Sequence, residues 1–168
     1  MDEKTAREKA EALPSLLLPW YDKNKRDLPW RENTDPYRVW VSEIMLQQTR
    51  VEAAKEHYRR FLQKLPTVQA LAECGEDELF KLWEGLGYYS RAKNLHKAAK
   101  IVAKEGFPTD AEGWRKLPGI GDYTAGAVSS IAFERPSPAV DGNVVRVLSR
   151  ILGDGREQDL LRTEYAKL

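Results

Sequence analysis

The chain has 168 residues, 42% of them hydrophobic and 10% aromatic, which is enough for a folded core and excludes a disordered tail. Its formal net charge of +1 means that any basic surface must come from local clustering. The single cysteine, Cys74, excludes a disulfide framework and a cysteine-rich metal site within this sequence. Residues 1–13 are charged and contain no apolar segment after basic residues, so we expect an intracellular, cytoplasmic protein without a secretory signal or membrane anchor.

The residue pattern predicts an all-α fold. Short helical segments alternate with Pro and Gly, and no convincing strand pattern is found. We expect helices over roughly 36–47, from the Thr49–Glu52 segment to about 64, and over 67–73, 76–84, 88–104, 110–116, 123–133, 142–152 and 157–168. Pro14 and Pro19 leave the extent of the first helical region undetermined.

Two helix starts are predicted from capping signals. Asp35 followed by Pro36 supplies a side-chain cap and a first-turn proline for the helix that begins at Pro36. Thr49 and Glu52 have the spacing of a capping box, which predicts that Thr49 caps the next helix.

The segment VWVSEIMLQQT, residues 39–49, predicts a buried helix that carries one carboxylate, Glu43. Apolar surroundings raise the pKa of a carboxylic acid, so Glu43 could hold a proton near neutral pH and donate it. The alternative is a partly exposed glutamate whose stem packs on apolar neighbours. Gln47-Gln48-Thr49 is either an ordinary interhelical loop or a polar set that can fill the space left by an extruded base.

Residues 83–100, WEGLGYYSRAKNLHKAAK, place two tyrosines between a Gly-Leu-Gly turn and a basic helix. Aromatic side chains at a turn beside cations suit base stacking and phosphate contact. The alternative is a helix start with a packed Tyr and a solvated basic face. The basic residues of the helix are Arg91, Lys93, Lys97 and Lys100.

Residues 114–133, WRKLPGIGDYTAGAVSSIAF, predict two helices joined by a tight turn. Gly119 and Gly121 permit unusual dihedral angles and leave backbone N–H groups uncovered next to a helix N-terminus. Such groups can bind a phosphate oxygen. The alternative is a tight helix–helix corner that binds nothing.

Asp141, in PAVDGNVVRVLSR (138–150), stands at the start of an apolar helix. It could simply cap that helix, or its carboxylate could face a cleft as a fixed anion. One acid that donates a proton and one anion that stabilises a sugar cation are the two groups that break glycosidic bonds. Glu43 and Asp141 are candidates for these roles.

Five segments together make the chain resemble the helix-hairpin-helix DNA glycosylases, and most closely the MutY adenine glycosylases. The segments are LPWR (28–31), VSEIMLQQTRVE (41–52), WEGLGYYSRAKNLH (83–96), LPGIGDYTAGAVSSIAF (117–133) and AVDGNVVRVLSR (139–150). The resemblance implies a six-helix barrel lobe and a second helical lobe that is incomplete here. Residues 1–28 then belong to the second lobe, 29–140 form the barrel lobe with the hairpin at about 110–133, and 141–168 begin the return to the second lobe.

The resemblance also implies roles for individual residues. Glu43 protonates the adenine ring and assists water, Asp141 stabilises the sugar cation, and Asn143 supports the site. The adenine pocket is matched by Trp30, Arg31, Leu46 and Val51. The residues that match contacts to the opposite 8-oxoguanine and the wedge into the duplex are Gln48, Thr49, Leu86 and Tyr88. The phosphate-binding hairpin is matched by Leu117, Gly119, Ile120 and Gly121.

Position 123 separates two branches of the family. Relatives of the endonuclease III type, which also cut the strand, have a lysine here that attacks the sugar. Tyr123 cannot form a Schiff base, which favours a hydrolytic, monofunctional enzyme with Tyr123 in a supporting role.

The family continues with helices that complete the second lobe, four cysteines that bind a [4Fe–4S] cluster and usually a domain that checks for 8-oxoguanine. One cysteine cannot hold such a cluster, so we expect no cofactor and no metal in this chain, and an N-terminal portion of a longer protein.

The implied partner is double-stranded DNA with an A:8-oxoguanine or A:G mispair, bound by a nucleoid-associated monomer without membrane contact. Two alternatives remain open: a glycosylase of the same fold for damaged pyrimidines, and a helix-hairpin-helix module that binds DNA without catalysis.

Overall fold

Helices make up most of residues 3–167, the part of the chain that the computed structural model describes, with the side chains of residues 3, 4, 6 and 158–160 excepted. No strand is found in this part, and the all-α prediction is confirmed. The elements are α1 (Glu3–Asn24), a 3-10 turn (Pro29–Arg31), α2 (Pro36–Leu46), α3 (Val51–Lys64), α4 (Val68–Glu73), α5 (Glu76–Trp83), α6 (Tyr89–Glu105), α7 (Ala111–Arg115), α8 (Asp122–Phe133), α9 (Gly142–Leu152) and α10 (Gln158–Tyr165). None of these described helices has the length and apolar character that crossing a membrane requires.

The chain divides into two units. The larger unit is Leu28–Ser137, and the other joins Met1–Asp27 to Pro138–Leu168. The hairpin, α7 and α8, lies wholly in the larger unit, as does Glu43. Asp141 lies in the other unit, at the start of α9.

Helix α2 is at the centre of the core of the larger unit. It is buried on most of its circumference, packs on α8 and α3, and contacts the 3-10 turn and α6. Trp40 of α2 is fully buried and meets Trp114 of α7 edge to face, with ring centroids 5.4 Å apart. Around this centre α4 packs on α6, and α7 packs on α8. The helix that carries Glu43 is therefore held on several sides.

The smaller unit has its own apolar cluster. Val145 and Leu152 of α9 pack with Leu161 and Tyr165 of α10, and α1 also contacts α9. Helix α1 continues through both of its prolines, which settles the extent that the sequence left undetermined.

The two capping predictions have different outcomes. Asp35 Oδ1 accepts a hydrogen bond from the Arg38 N–H at 3.0 Å, so the predicted cap of α2 is confirmed. The capping box at Thr49 is wrong: α3 begins after Arg50 and has no side-chain cap. The reason is that the Thr49 N–H closes a turn onto the Leu46 carbonyl at 3.3 Å, which keeps Thr49 outside the helix start.

The buried tyrosines of α2 and α3 make stability fall at high pH. Burial raises the pKa of Tyr58 to about 12 from an ordinary value of 10.0, and it also raises that of Tyr37. Above pH 10 the unfolded chain loses the Tyr58 proton while the folded protein keeps it, so the free energy of unfolding falls as pH rises from 10 to about 12. Below pH 10 the contribution is fully present.

We expect a decline approaching ~1.4 kcal/mol per pH unit for each such tyrosine in that interval. Urea unfolding at several pH values, compared between the protein and Tyr58→Phe, measures it. The Phe variant should lose its stability less steeply, because it has no phenol to titrate. If the free energy of unfolding fell equally steeply with pH in both proteins, Tyr58 would not be a cause of the decline.

Candidate active site and nucleic-acid interface

Glu43 lies on α2, about two turns after the Asp35 cap. Its neighbours Ser42 and Ile44 are buried, but Glu43 itself is only half-buried. Glu43 is thus carried by a core helix while part of the residue still meets solvent. A carboxyl group in this position is fixed by a rigid helix and remains accessible to a reactant.

The 3-10 turn contacts both α2 and α3, so it lies against the two helices that carry the other residues of the expected adenine pocket. Trp30 is buried and meets Tyr58 of α3 edge to face at 5.5 Å. Leu46 and Val51 are half-buried against the same core, whereas Arg31 is exposed. Packing therefore places Trp30 and Arg31 beside α2 and α3, the two helices that carry Leu46 and Val51.

The residues expected to meet the opposite base differ in exposure. Leu86 is buried in the core, whereas Gln48 is exposed and Tyr88 is 64% exposed. Tyr88 has φ 47° and ψ 60°, a left-handed conformation that is costly for a side chain of this size. The neighbouring Tyr89 is 40% exposed, but its ring packs edge to face on Phe80 at 5.5 Å, as the alternative interpretation expects of one tyrosine.

Arg91 has a role that the sequence analysis missed. The sequence grouped it with the basic residues of α6, for phosphate contact or a solvated face, but its guanidinium is directed inward, to the end of α2 and to the loop before α6. A signal for this role exists in the sequence: α2 has no basic residue in its own last turn. A helix C-terminus attracts a cation, and here another helix provides it.

The hairpin joins α7 to α8 through residues 116–121. Asp110 caps α7 by accepting from the Gly113 N–H at 2.8 Å, and Leu117 and Ile120 are buried on the inner side of the turn. Gly119 has φ +77°, and a Cβ there would come within 2.6 Å of the Asn94 Cβ. Gly119 is therefore required for close approach to α6.

Gly121 differs from Gly119 because it faces open space. Its φ is −96°, and a Cβ there would meet nothing within 4 Å. Within residues 3–167 no hydrogen bond formed by the N–H of Gly119 or Gly121 is found. These groups, with the first N–H groups of α8, can donate hydrogen bonds to an anionic oxygen.

The hairpin helix is also connected to the end of α2. The Gln47 side-chain amide donates to Thr124 Oγ1 at 3.3 Å, and Thr124 is buried in the first turn of α8. Tyr123, one residue earlier, is 38% exposed. The end of the Glu43 helix, the hairpin and Tyr123 are thus brought together within one unit.

Asp141 caps α9. Its Oδ1 accepts from the Val144 N–H at 2.8 Å, and its Oδ2 accepts from the Asn143 side-chain amide at 2.9 Å. The capping interpretation is confirmed, and the same contacts fix the orientation of a half-buried carboxylate beside the positive end of a helix.

Among the described residues no group of three or more His, Cys, Asp or Glu side chains is arranged to hold a metal ion. Burial raises the pKa of the Cys74 thiol, whose Sγ donates to the Leu71 carbonyl at 3.1 Å. A single cysteine in this environment does not fit the ligand set of an iron–sulfur cluster.

An all-α fold with a two-glycine hairpin and a carboxylate on the adjacent helix is the arrangement expected of the helix-hairpin-helix class. The model of the HhH-GPD superfamily of base excision DNA repair proteins matches residues 41–167, and the chain belongs to this family. The expected resemblance to the adenine glycosylase branch is confirmed by curated relatives.

The chain is 49% identical over 153 residues to an adenine DNA glycosylase of Rattus norvegicus, covering 84% of this chain and 30% of the relative. It is 46% identical to the Homo sapiens adenine DNA glycosylase, and this match covers 87% of this chain and 29% of the relative. It is 44% identical to the adenine DNA glycosylase of Buchnera aphidicola subsp. Schizaphis graminum, a match that covers 82% of this chain and 41% of the relative. The chain thus spans well under half the length of these relatives.

Solved structures share the fold. A thermostable thymine-DNA glycosylase matches with a TM-score of 0.80 and 27% identity, covering 94% of this chain and 78% of that one. An endonuclease III–DNA covalent intermediate matches with a TM-score of 0.73 and 20% identity, covering 99% of this chain and 84% of that one. This match establishes similarity of fold.

Proposed function

We propose that this chain is the catalytic portion of a monofunctional adenine DNA glycosylase that acts on adenine opposite 8-oxoguanine or guanine. One structural observation carries the proposal: Glu43 is half-buried on a helix whose end is hydrogen-bonded, through Gln47 and Thr124, to the hairpin helix. A proton donor and a phosphate-binding turn on one rigid body suit a reaction on a flipped base. The names of the relatives support adenine as that base.

In the proposed reaction Glu43 donates a proton to the adenine ring, and the bond between the sugar C1′ and the purine nitrogen breaks. The electron pair leaves with adenine, and a positive charge develops on the sugar. Asp141, oriented by Asn143 and the first turn of α9, stabilises that charge. Water then adds to C1′, and its proton passes to the Glu43 carboxylate, which restores the starting state.

Tyr123 at the exposed start of α8 provides no amine, so the proposed reaction leaves the strand intact. A phosphate of the DNA backbone binds the N–H groups of the hairpin, and the bases meet the Gln48 turn and the Tyr88 loop. We propose a monomer on double-stranded DNA.

Substrate comparison tests the proposal. Duplexes with adenine opposite 8-oxoguanine, opposite guanine and opposite thymine, and a duplex with thymine glycol, are incubated with excess protein. We expect free adenine from the first two, with strand breaks only after alkali treatment, because no Schiff base forms. Release of the damaged pyrimidine instead, or tight binding of every duplex without base release, would favour one of the two alternatives and reject the proposal.

A further inference from the structure

Arg91 connects two turns that are far apart in the sequence. In the described structure its terminal nitrogens donate to backbone carbonyls on both: Nη1 reaches Ile44 at 2.9 Å, Met45 at 3.2 Å and Gln47, and Nη2 reaches Leu86 at 2.9 Å and Gly87 at 3.2 Å. Nη2 also lies 3.4 Å from Thr49 Oγ1. One guanidinium therefore holds the turn after α2, residues 46–49, and the loop before α6, residues 85–88.

The contacts explain why an arginine is needed. The last carbonyls of α2 have no partner within their own helix and lie at its negative end, which favours a cation. A guanidinium presents two NH₂ groups in a planar fork, so one group can serve α2 while the other serves the loop. A lysine ammonium, a single point of charge, cannot occupy both positions.

Each turn contains a residue in a costly backbone conformation. Gln48 has φ 55° at the third position of a turn closed by the Thr49 N–H on the Leu46 carbonyl. Tyr88 has φ 47°, and its ring lies 5.7 Å from the Arg91 guanidinium carbon. Both side chains are exposed, so burial of their own surface does not offset the cost. Such conformations persist where surrounding contacts fix them, and they are common where ligands bind.

We propose that Arg91 is a positioning residue that holds Gln48 and Tyr88 in one shared geometry, and that this geometry sets discrimination of the base opposite the target adenine. The part that concerns discrimination depends on the proposed function. The part that concerns positioning does not, because it describes the free protein. Arg91 acts through the two turns and binds no phosphate.

Hydrogen exchange of the free protein tests the positioning. We compare the protein with Arg91→Lys and with Arg60→Lys, a matched change at an exposed arginine of α3. In Arg91→Lys the amides of residues 46–49 and 85–88 should exchange about tenfold faster or more, while those of the hairpin at 117–121 keep their rates. Arg60→Lys should leave all three segments unchanged. Unchanged exchange at either turn in Arg91→Lys would overturn the proposal.

A second measurement needs no variant, which matters if Arg91→Lys folds poorly. The Thr49 N–H bonds to the Leu46 carbonyl at 3.3 Å, and the Leu86 N–H bonds to the Trp83 carbonyl at 3.1 Å. If one guanidinium holds both turns, these two amides open together, and increasing urea lowers their protection in parallel. Independent opening of the two amides would reject the shared geometry.

Base release tests the discrimination. The ratio of kcat/KM for adenine opposite 8-oxoguanine to that for adenine opposite thymine should fall about tenfold in Arg91→Lys and stay constant in Arg60→Lys. A loss of stability alone would lower both rates equally and leave the ratio unchanged, which would contradict this part. If the protein itself releases no adenine from any duplex, the proposed function fails, and the exchange measurements alone decide the positioning role.

Discussion

Replacement of Glu43 by glutamine is expected to lower the rate of adenine release by about 10²–10⁴-fold, the usual contribution of a general acid. Glutamine has nearly the shape of glutamate but cannot donate the proton that the leaving base requires. Because α2 is held by α8, α3 and the 3-10 turn, the variant should keep the position of its side chain. Single-turnover release from a duplex with adenine opposite 8-oxoguanine measures the effect.

The control is Glu73→Gln, which changes an exposed glutamate at the end of α4 in the same unit. It should leave the rate unchanged. Both variants should bind the duplex as the protein does and unfold within about 1 kcal/mol of it, as is usual for changes outside a packed core. Release by Glu43→Gln at the rate of the protein would remove Glu43 from the mechanism.

Gly119→Ala is expected to have the largest effect on stability among the changes considered for the hairpin. A left-handed backbone costs an L-residue about 1–2 kcal/mol, and overpacking costs about 1–3 kcal/mol more. Both costs apply, because φ is +77° and the new Cβ would lie 2.6 Å from the Asn94 Cβ. We expect the free energy of unfolding to fall by about 2–5 kcal/mol in urea titrations.

A double-mutant cycle separates the clash from the dihedral strain. Asn94→Gly removes the atom that the new Cβ would meet, at a cost of less than about 1 kcal/mol, because asparagine is itself a weak helix former. Combined with Gly119→Ala, it should be less destabilising than the sum of the two single changes. Simple additivity would mean that the close approach to Asn94 is unimportant.

Gly121→Ala tests phosphate binding by the hairpin, whereas Gly119→Ala tests its stability. Its Cβ would enter open space and its φ is −96°, so stability should change by less than about 1 kcal/mol. If the hairpin binds phosphate at this N–H, the methyl group obstructs the approach, and loss of one charge-assisted hydrogen bond weakens DNA binding about tenfold or more. Equal affinity of Gly121→Ala and the protein for a duplex would place the phosphate elsewhere.

Local signals in the sequence were sufficient for most helices and for the hairpin. Periodic apolar residues predict α2 and α6, and Asp35 with Pro36 predicts the start of α2. The pair of glycines in the LPGIG segment predicts the tight turn before α8. These features depend on residues close together in the chain, so the sequence contains what is needed to predict them.

Thr49 shows where local signals were insufficient. The Thr-x-x-Glu spacing predicts a capping box, but the type of turn after α2 places Thr49 before the helix, and its Oγ1 lies 3.5 Å from Arg91 Nη1. Competition from a contact 42 residues away cannot be read from a four-residue pattern.

Sequence by itself determined most of the helical elements, the hairpin, Tyr123 in place of a lysine, and the membership of a glycosylase family. Only the tertiary structure decided that Glu43 is half-buried, that Gly119 rather than Gly121 lies against α6, and that Arg91 points inward to join two turns. The physical reason is that periodicity and caps arise from neighbours within a few residues. Burial, close approach and the partners of a long arginine side chain depend on which helices pack together. That packing is settled only when the whole core forms.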